Sequence, residues 1–254
     1  MFLRISVFYV LTWFFVILLG GVQQATGVIP VEIGLAQWGP GIAALLMLVI
    51  FRKDGFKITF FSKGTPAQRY LYAALIPLGV GLVVYLLKHL IPIESTTSPE
   101  IFNNLALVLL WIPLGALGEE LGWRGYLHKK LDPRMRGLFS SLLVGILWMP
   151  IHVHFLTQGP VFLFFFTLMI ISYSVVIYAL VQDTNFNVIL ATVFHLSINL
   201  ANLLVLDVIY ETRFMIISSL VWVIVAVVII FLKRDIFLGS KDQYENKNIS
   251  LQPK

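Results

Sequence analysis

Six polar residues stand out in a chain that is otherwise mostly apolar. Gly118-Glu119-Glu120-Leu121-Gly122-Trp123-Arg124 places two carboxylates beside a guanidinium. Glu120 and Arg124 are four residues apart, so on a helix they share a face and can pair, with the acid in the favourable N-terminal position. Glu119 points about 100° away from that pair. It is free to act as a general base toward water. Trp148-Met149-Pro150-Ile151-His152 supplies an imidazole four residues after an aromatic ring, and His195-Leu196-Ser197-Ile198-Asn199 supplies a second imidazole stacked one turn from an amide. Carboxylate and imidazole together suit water activation, directly or through a metal. Asn and an imidazole N–H are suitable donors to a developing oxyanion.

Each cluster also has a structural reading. A Glu-Glu-x3-Arg run can be a charged helix end whose side chains reach the headgroups. A membrane histidine can bond a backbone carbonyl. A His–Asn pair can clamp two helices together. Taken together the clusters outweigh those readings, because ionisable groups in membrane helices cost ~2.5–3.5 kcal/mol each on insertion scales. Bundles build sites from side chains on facing helices.

The positioning elements follow from composition. Of 254 residues, 59% are hydrophobic and 12% are charged. Soluble domains have about 45–50% apolar and about 25% charged residues. With a mean hydropathy of +0.90, the chain requires a lipid environment and cannot be disordered. There is no cysteine, which excludes disulfides, thiolate metal sites and cysteine nucleophiles. The net charge of +5 reports on loop placement in a membrane protein and gives no case for nucleic acid.

The predicted architecture is all-α: a polytopic integral membrane helix bundle of about eight transmembrane helices. The stretches are Phe2–Gly21, Ala36–Phe51, Tyr70–Leu90, Ile101–Leu121, Leu138–His154, Val161–Val181, Val188–Leu206 and Phe214–Leu232. Each is close to the ~20 apolar residues that span a bilayer. Residues 1–232 read as one transmembrane bundle, and 233–254 as a polar cytoplasmic tail. The first stretch reads as an uncleaved helix, because its apolar run is long for a signal peptide and no A-x-A site follows. With eight helices, sixteen of the 18 Lys and Arg residues fall on one side, leaving Lys88 and Arg213 on the other. By the positive-inside rule the chain is a multi-pass cell-membrane protein with both termini cytoplasmic.

Glu119-Glu120-x3-Arg124, then Trp148-x3-His152, then His195-x3-Asn199, resemble the three motifs of the CPBP intramembrane proteases. These include the type II CAAX prenyl endopeptidases, bacteriocin-processing proteins and lysostaphin-resistance-like proteins. The resemblance covers the catalytic core at about 103–202, and the brevity of the chain fits a bacterial relative. Trp148 replaces the Phe usual in the second motif. The resemblance implies an intramembrane endopeptidase acting on membrane-associated or small hydrophobic peptides. In it Glu119 activates water with His152 assisting, His195 and Asn199 steady the oxyanion, and Glu120 with Arg124 holds the helix and its electrostatics. The family's metalloprotease label implies a divalent metal, Zn²⁺, for which Glu119, His152 and His195 could be ligands. A metal-free glutamate–histidine route fits the same residues, and the local HExxH pattern is absent.

Other chemistries fit less well. No GxSxG elbow and no Gly-x-Gly-Asp carboxylate occur. A secondary transporter would carry an inverted repeat, which is not evident. A non-catalytic immunity or scaffold relative of the same fold is the remaining alternative. The expected partners are the lipid bilayer and a peptide or membrane-protein substrate. One geometric conflict accompanies these expectations. Glu119 is placed near the end of its helix, while His152 lies ~14 residues, or ~21 Å, into the next.

Overall fold

The computed structural model describes residues 2–27, 34–91, 93 and 105–239. Expectations for the tail from 240 onward, and for the start of the fourth span at 101–104, lie outside the described residues. Eight apolar helices appear in the expected order. They are α1 (Phe2–Thr26), α2 (Gly39–Ile50), α3 (Ala67–Leu90), α4 (Leu105–Gly122), α5 (Gly137–Trp148), α6 (Pro160–Val181), α7 (Val188–Asn202) and α8 (Thr212–Leu232). A short α9 (Arg234–Leu238) follows. Among the described residues there is no strand.

The eight apolar helices differ in length. Six helical segments are long and apolar enough to cross a membrane. Helices α2 and α5 have 12 residues each, or ~18 Å at 1.5 Å per residue, against a hydrocarbon core of ~30 Å. The sequence explains where they are cut. Gly39-Pro40 sets the first turn of α2, where proline's fixed φ and missing N–H are tolerated. Met149-Pro150 ends α5 in a 3₁₀ turn. Several helices turn apolar side chains outward, including Val10 of α1, Leu82 of α3 and Phe231 of α8. Water would penalise such surface, whereas hydrocarbon does not. The chain is a polytopic all-α membrane protein.

The connections carrying most of the basic residues gather at one end of the bundle. Arg4 pairs with Asp54, which also meets Lys130. Lys129 donates to the Lys57 carbonyl and to Thr59. Arg69 pairs with Asp183, and the backbone of Val188 bonds Thr59. Lys88 instead pairs with Asp207, between the C-terminal end of α3 and the turn after α7.

Helix α4 does not end where the sequence pattern places its end. It runs into a six-residue π-helix, Trp123–His128, and one further turn at Lys129–Leu131. The whole apolar segment covers Ala106–Arg134. Glu119 therefore lies near the middle of this segment. Because α5 is short, His152 lies just beyond its end at a similar depth, which removes the ~21 Å conflict.

Close packing of α2 on α4 depends on glycine. A Cβ at Gly122 would stand 2.4 Å from Pro40, and one at Gly41 would stand 2.6 Å from the Gly118 carbonyl. These small residues let backbones approach, as in other membrane interfaces. They also bring the turn before α2, Leu35–Trp38, against the middle of α4. Gly122→Ala should therefore lower the thermal stability of the purified protein by about 1–3 kcal/mol, the usual cost of overpacking. Gly79→Ala is the control, because a Cβ there meets nothing within 4 Å. Equal melting temperatures for the two variants would contradict this packing.

Candidate active site

Both carboxylates of α4 are removed from solvent, Glu119 at 1% and Glu120 at 0% exposure. Arg124 donates from Nη1 to Glu120 Oε1 at 2.8 Å, and His195 Nδ1 lies 2.9 Å from the same oxygen. Glu120 thus bridges a guanidinium on its own helix and an imidazole on α7. Glu119 has different partners. Gln37 Nε2 donates to Oε1 at 3.0 Å, and the indole N–H of Trp148 donates to Oε2. A carboxylate has about four lone-pair sites, so Glu119 keeps capacity to accept from a water.

Trp148 is the common neighbour of this group. The Arg124 guanidinium lies 4.2 Å from its ring centroid, a cation–π distance. The His195 and His152 rings lie 5.3 and 6.0 Å away. The network therefore draws on α4, the end of α5, α7 and the turn before α2.

Local structure explains each position. The helix keeps Glu120 and Arg124 on one face into the start of the π-turn. Such π-segments are frequent at functional sites. The proline-containing turn after Trp148 folds His152 back, so that its Nδ1 lies 3.2 Å from the Met149 carbonyl. A carbonyl can only accept, so Nδ1 carries the proton and Nε2 keeps its lone pair. His152 is half-buried and meets Phe166 edge-on. Helix α7 is anchored by Asn187, whose side chain caps the Leu190 N–H and bonds Tyr70 of α3. That anchoring fixes the His195–Asn199 face. Asn199 is half-buried and has no hydrogen-bond partner among the described residues.

The structure thus joins Glu119, Glu120, Arg124 and His195 in one network. It brings His152 beside that network through the Trp148 ring, and leaves Asn199 one turn beyond His195. The metal expectation fares differently. Among the described residues no group of three or more His, Asp or Glu side chains could hold a metal ion. Glu119 is engaged by Gln37 and Trp148, and His195 Nδ1 by Glu120. These bonds leave free a lone pair of Glu119 and the Nε2 of both imidazoles, the atoms a metal would use.

Two contributors were not apparent from spacing. Gln37 is a lone polar residue beside Trp38, 82 positions before Glu119. The available signal was the glycine series Gly115, Gly118 and Gly122, which marks where another backbone approaches. The donor role of Trp148 was visible only as an aromatic at a position where Phe is usual.

The fold and this buried carboxylate–imidazole group define a class, a polytopic helical membrane protein with a polar site at mid-bundle. Residues 101–201 match the family model described as type II CAAX prenyl endopeptidase Rce1-like. Lysostaphin resistance protein A of Staphylococcus epidermidis is 28% identical over 212 residues, covering 78% of this chain and 53% of that protein. The Staphylococcus aureus protein of the same name is 26% identical over 206 residues, covering 77% of this chain and 48% of its own length. The chain spans about half the length of the curated relatives it matches. Together with the three motifs, these similarities support the resemblance to the CPBP family.

Trp148→Phe tests the indole bond, since it keeps the ring under Arg124 and removes only the N–H. The expected loss is about 1–2 kcal/mol of stability, the range for a bond to a charged group within a membrane protein. An unchanged melting temperature would show that the N–H contributes nothing to holding Glu119.

Proposed function

We propose that the chain is an intramembrane endopeptidase of the CAAX-protease-like kind, acting on peptide or membrane-protein segments that reach it through the lipid phase. The observation that carries this reading is the pair of buried carboxylates with separate partners. Glu120 is occupied by an ion pair, while Glu119 is held by two neutral donors and keeps a lone pair for water. In the reaction Glu119 takes a proton from water as its oxygen attacks the peptide carbonyl carbon. The carbonyl oxygen becomes an oxyanion. As the C–N bond breaks, Glu119 returns that proton to the leaving nitrogen. His152 accepts a hydrogen bond from the same water through Nε2 and orients it.

The oxyanion donors follow from the bonding on α7. Asn199 offers a neutral amide N–H with no competing partner among the described residues. His195 uses Nδ1 toward Glu120, so only Nε2 faces the substrate. That nitrogen is the imidazole atom aimed at the oxyanion. No step in this scheme requires a metal. A second reading takes support from the names of the staphylococcal relatives, which speak of resistance to lysostaphin. In it a bundle of the same fold acts as a non-catalytic resistance or scaffold protein.

The deciding substitution is Glu119→Gln, which keeps shape and removes the base. Candidate substrates are peptides that accumulate in membranes of cells lacking the gene, assayed with the purified full chain in detergent. Turnover should fall by ~10²–10⁴-fold, and near-normal turnover would defeat the proposal. Elemental analysis of washed, active protein should find less than one metal per chain. A stoichiometric metal whose chelation abolishes turnover would replace the metal-free route.

We further propose that the basic end of the bundle, with both termini, is cytoplasmic. The cysteine-free chain allows single-site labelling. A Lys57→Cys variant should react with an impermeant thiol reagent only after the cells are opened, and labelling in intact cells would reverse the orientation.

A further inference from the structure

A second group of polar side chains lies away from Glu119, around a small cavity between α3, α6, α7 and α8. Tyr173, Asn202, Ser218 and Trp222 line it, and its other walls are apolar, among them Ile198 and Val205. Tyr173 and Trp222 are each 4% exposed and meet edge-on at 4.6 Å. The Tyr173 hydroxyl, the Trp222 indole N–H and the Asn202 amide have no hydrogen-bond partner among the described residues. Ser218 reaches only the Met169 sulfur, a weak acceptor, at 3.5 Å. The indole N–H of Trp123 is sealed on every side, whereas the polar atoms of Tyr173 and Trp222 retain accessible surface.

A buried group that makes no hydrogen bond is costly, and ordered water is the usual partner where there is room. Here there is room. The cavity leaves about 10 Å³ over which the centre of a water can move. One water site occupies ~10–15 Å³, so a water fits, whereas a lipid chain or a peptide side chain does not. The surrounding groups supply three bonds, the usual number for a buried water. An indole N–H can only donate, so it bonds the water oxygen. The two water hydrogens go to the side-chain oxygen of Asn202 and the oxygen of Tyr173. From this arrangement we infer that the cavity binds one ordered water, which ties Tyr173 of α6 and Trp222 of α8 to Asn202 of α7.

The purpose of this bridge rests on the peptidase reading. His195, Asn199 and Asn202 fall within about 60° of one another around α7, and Ile198 and Val205 lie on the adjoining face toward the cavity. Asn202 stands where the two faces meet. Helix α7 ends at Asn202, and the chain beyond departs from helical geometry at Val205. Asn199 therefore sits in the last turn, the part of a helix that frays. By holding that turn, the water makes Asn202 a positioning residue, which keeps the Asn199 amide aimed at the oxyanion.

The bound water is tested without activity, by radiolytic footprinting of the full chain in ¹⁸O-labelled water. Radicals formed from a bound water mark the side chains beside it. Tyr173 and Trp222 should be labelled about fivefold or more above Tyr126 and Trp123, buried residues of the same types. Asn202→Leu keeps the size and removes the amide, and should bring Tyr173 down to the level of Tyr126. Labelling at the control level in the unsubstituted chain, or unchanged labelling in Asn202→Leu, would overturn the water bridge, whether or not the chain is a peptidase. The positioning role is tested by Tyr173→Phe, which removes one bond to the water and keeps the ring. Its kcat should fall about tenfold with KM unchanged, within the ~10²-fold that a misplacement of ~1 Å costs. Strong labelling of Tyr173 beside a normal kcat in Tyr173→Phe would overturn the positioning role and leave a structural water.

Discussion

Placing two carboxylates and a guanidinium in the middle of an apolar bundle is the constraint on which the remaining structure depends. Charges removed from water lose several kcal/mol of solvation apiece even after relaxation. They are tolerated only where partners stand at bonding distance. Glu120 meets this requirement through Arg124 and His195. Glu119 meets it through an amide and an indole, neither of which carries charge. The difference keeps two adjacent residues of one type in two chemical states of engagement.

Much of the architecture can be read as the means of delivering those partners. A glycine face on α4 lets the turn before α2 come close enough for Gln37 to bond Glu119. Glycine and proline open α2 and proline ends α5, so the start of α2 and the end of α5 lie beside the carboxylates. The π-turn carries the buried run from Trp123 to His128 past the site toward the polar end. Trp148 then touches nearly every member at once. It donates to Glu119, receives the Arg124 cation on its face, and separates His152 from His195.

A bundle built this way has little freedom to vary its central residues. A larger side chain at Gly118 or Gly122 would push against the backbone of the Gln37–Pro40 segment. The outer surface is under less constraint, since Leu82, Val227 and Phe231 are each more than half exposed.

The sequence by itself determined the solvent, the helical class, the order of the eight apolar helices and the pairing of Glu120 with Arg124. These depend on composition and on spacing within one helix, where residues four apart must meet. It also marked His152, His195 and Asn199 as polar residues in apolar helices. Tertiary structure alone decided that α2 and α5 stop short, because a proline in an apolar run permits either a kink or an end. It decided that α4 continues through a π-turn, which places Glu119 at mid-span. It decided that Gln37, 82 residues away, reaches Glu119, while His152 and His195 both pack against Trp148. Contacts between helices depend on where backbones can approach one another, and that is set by the packing of the whole bundle.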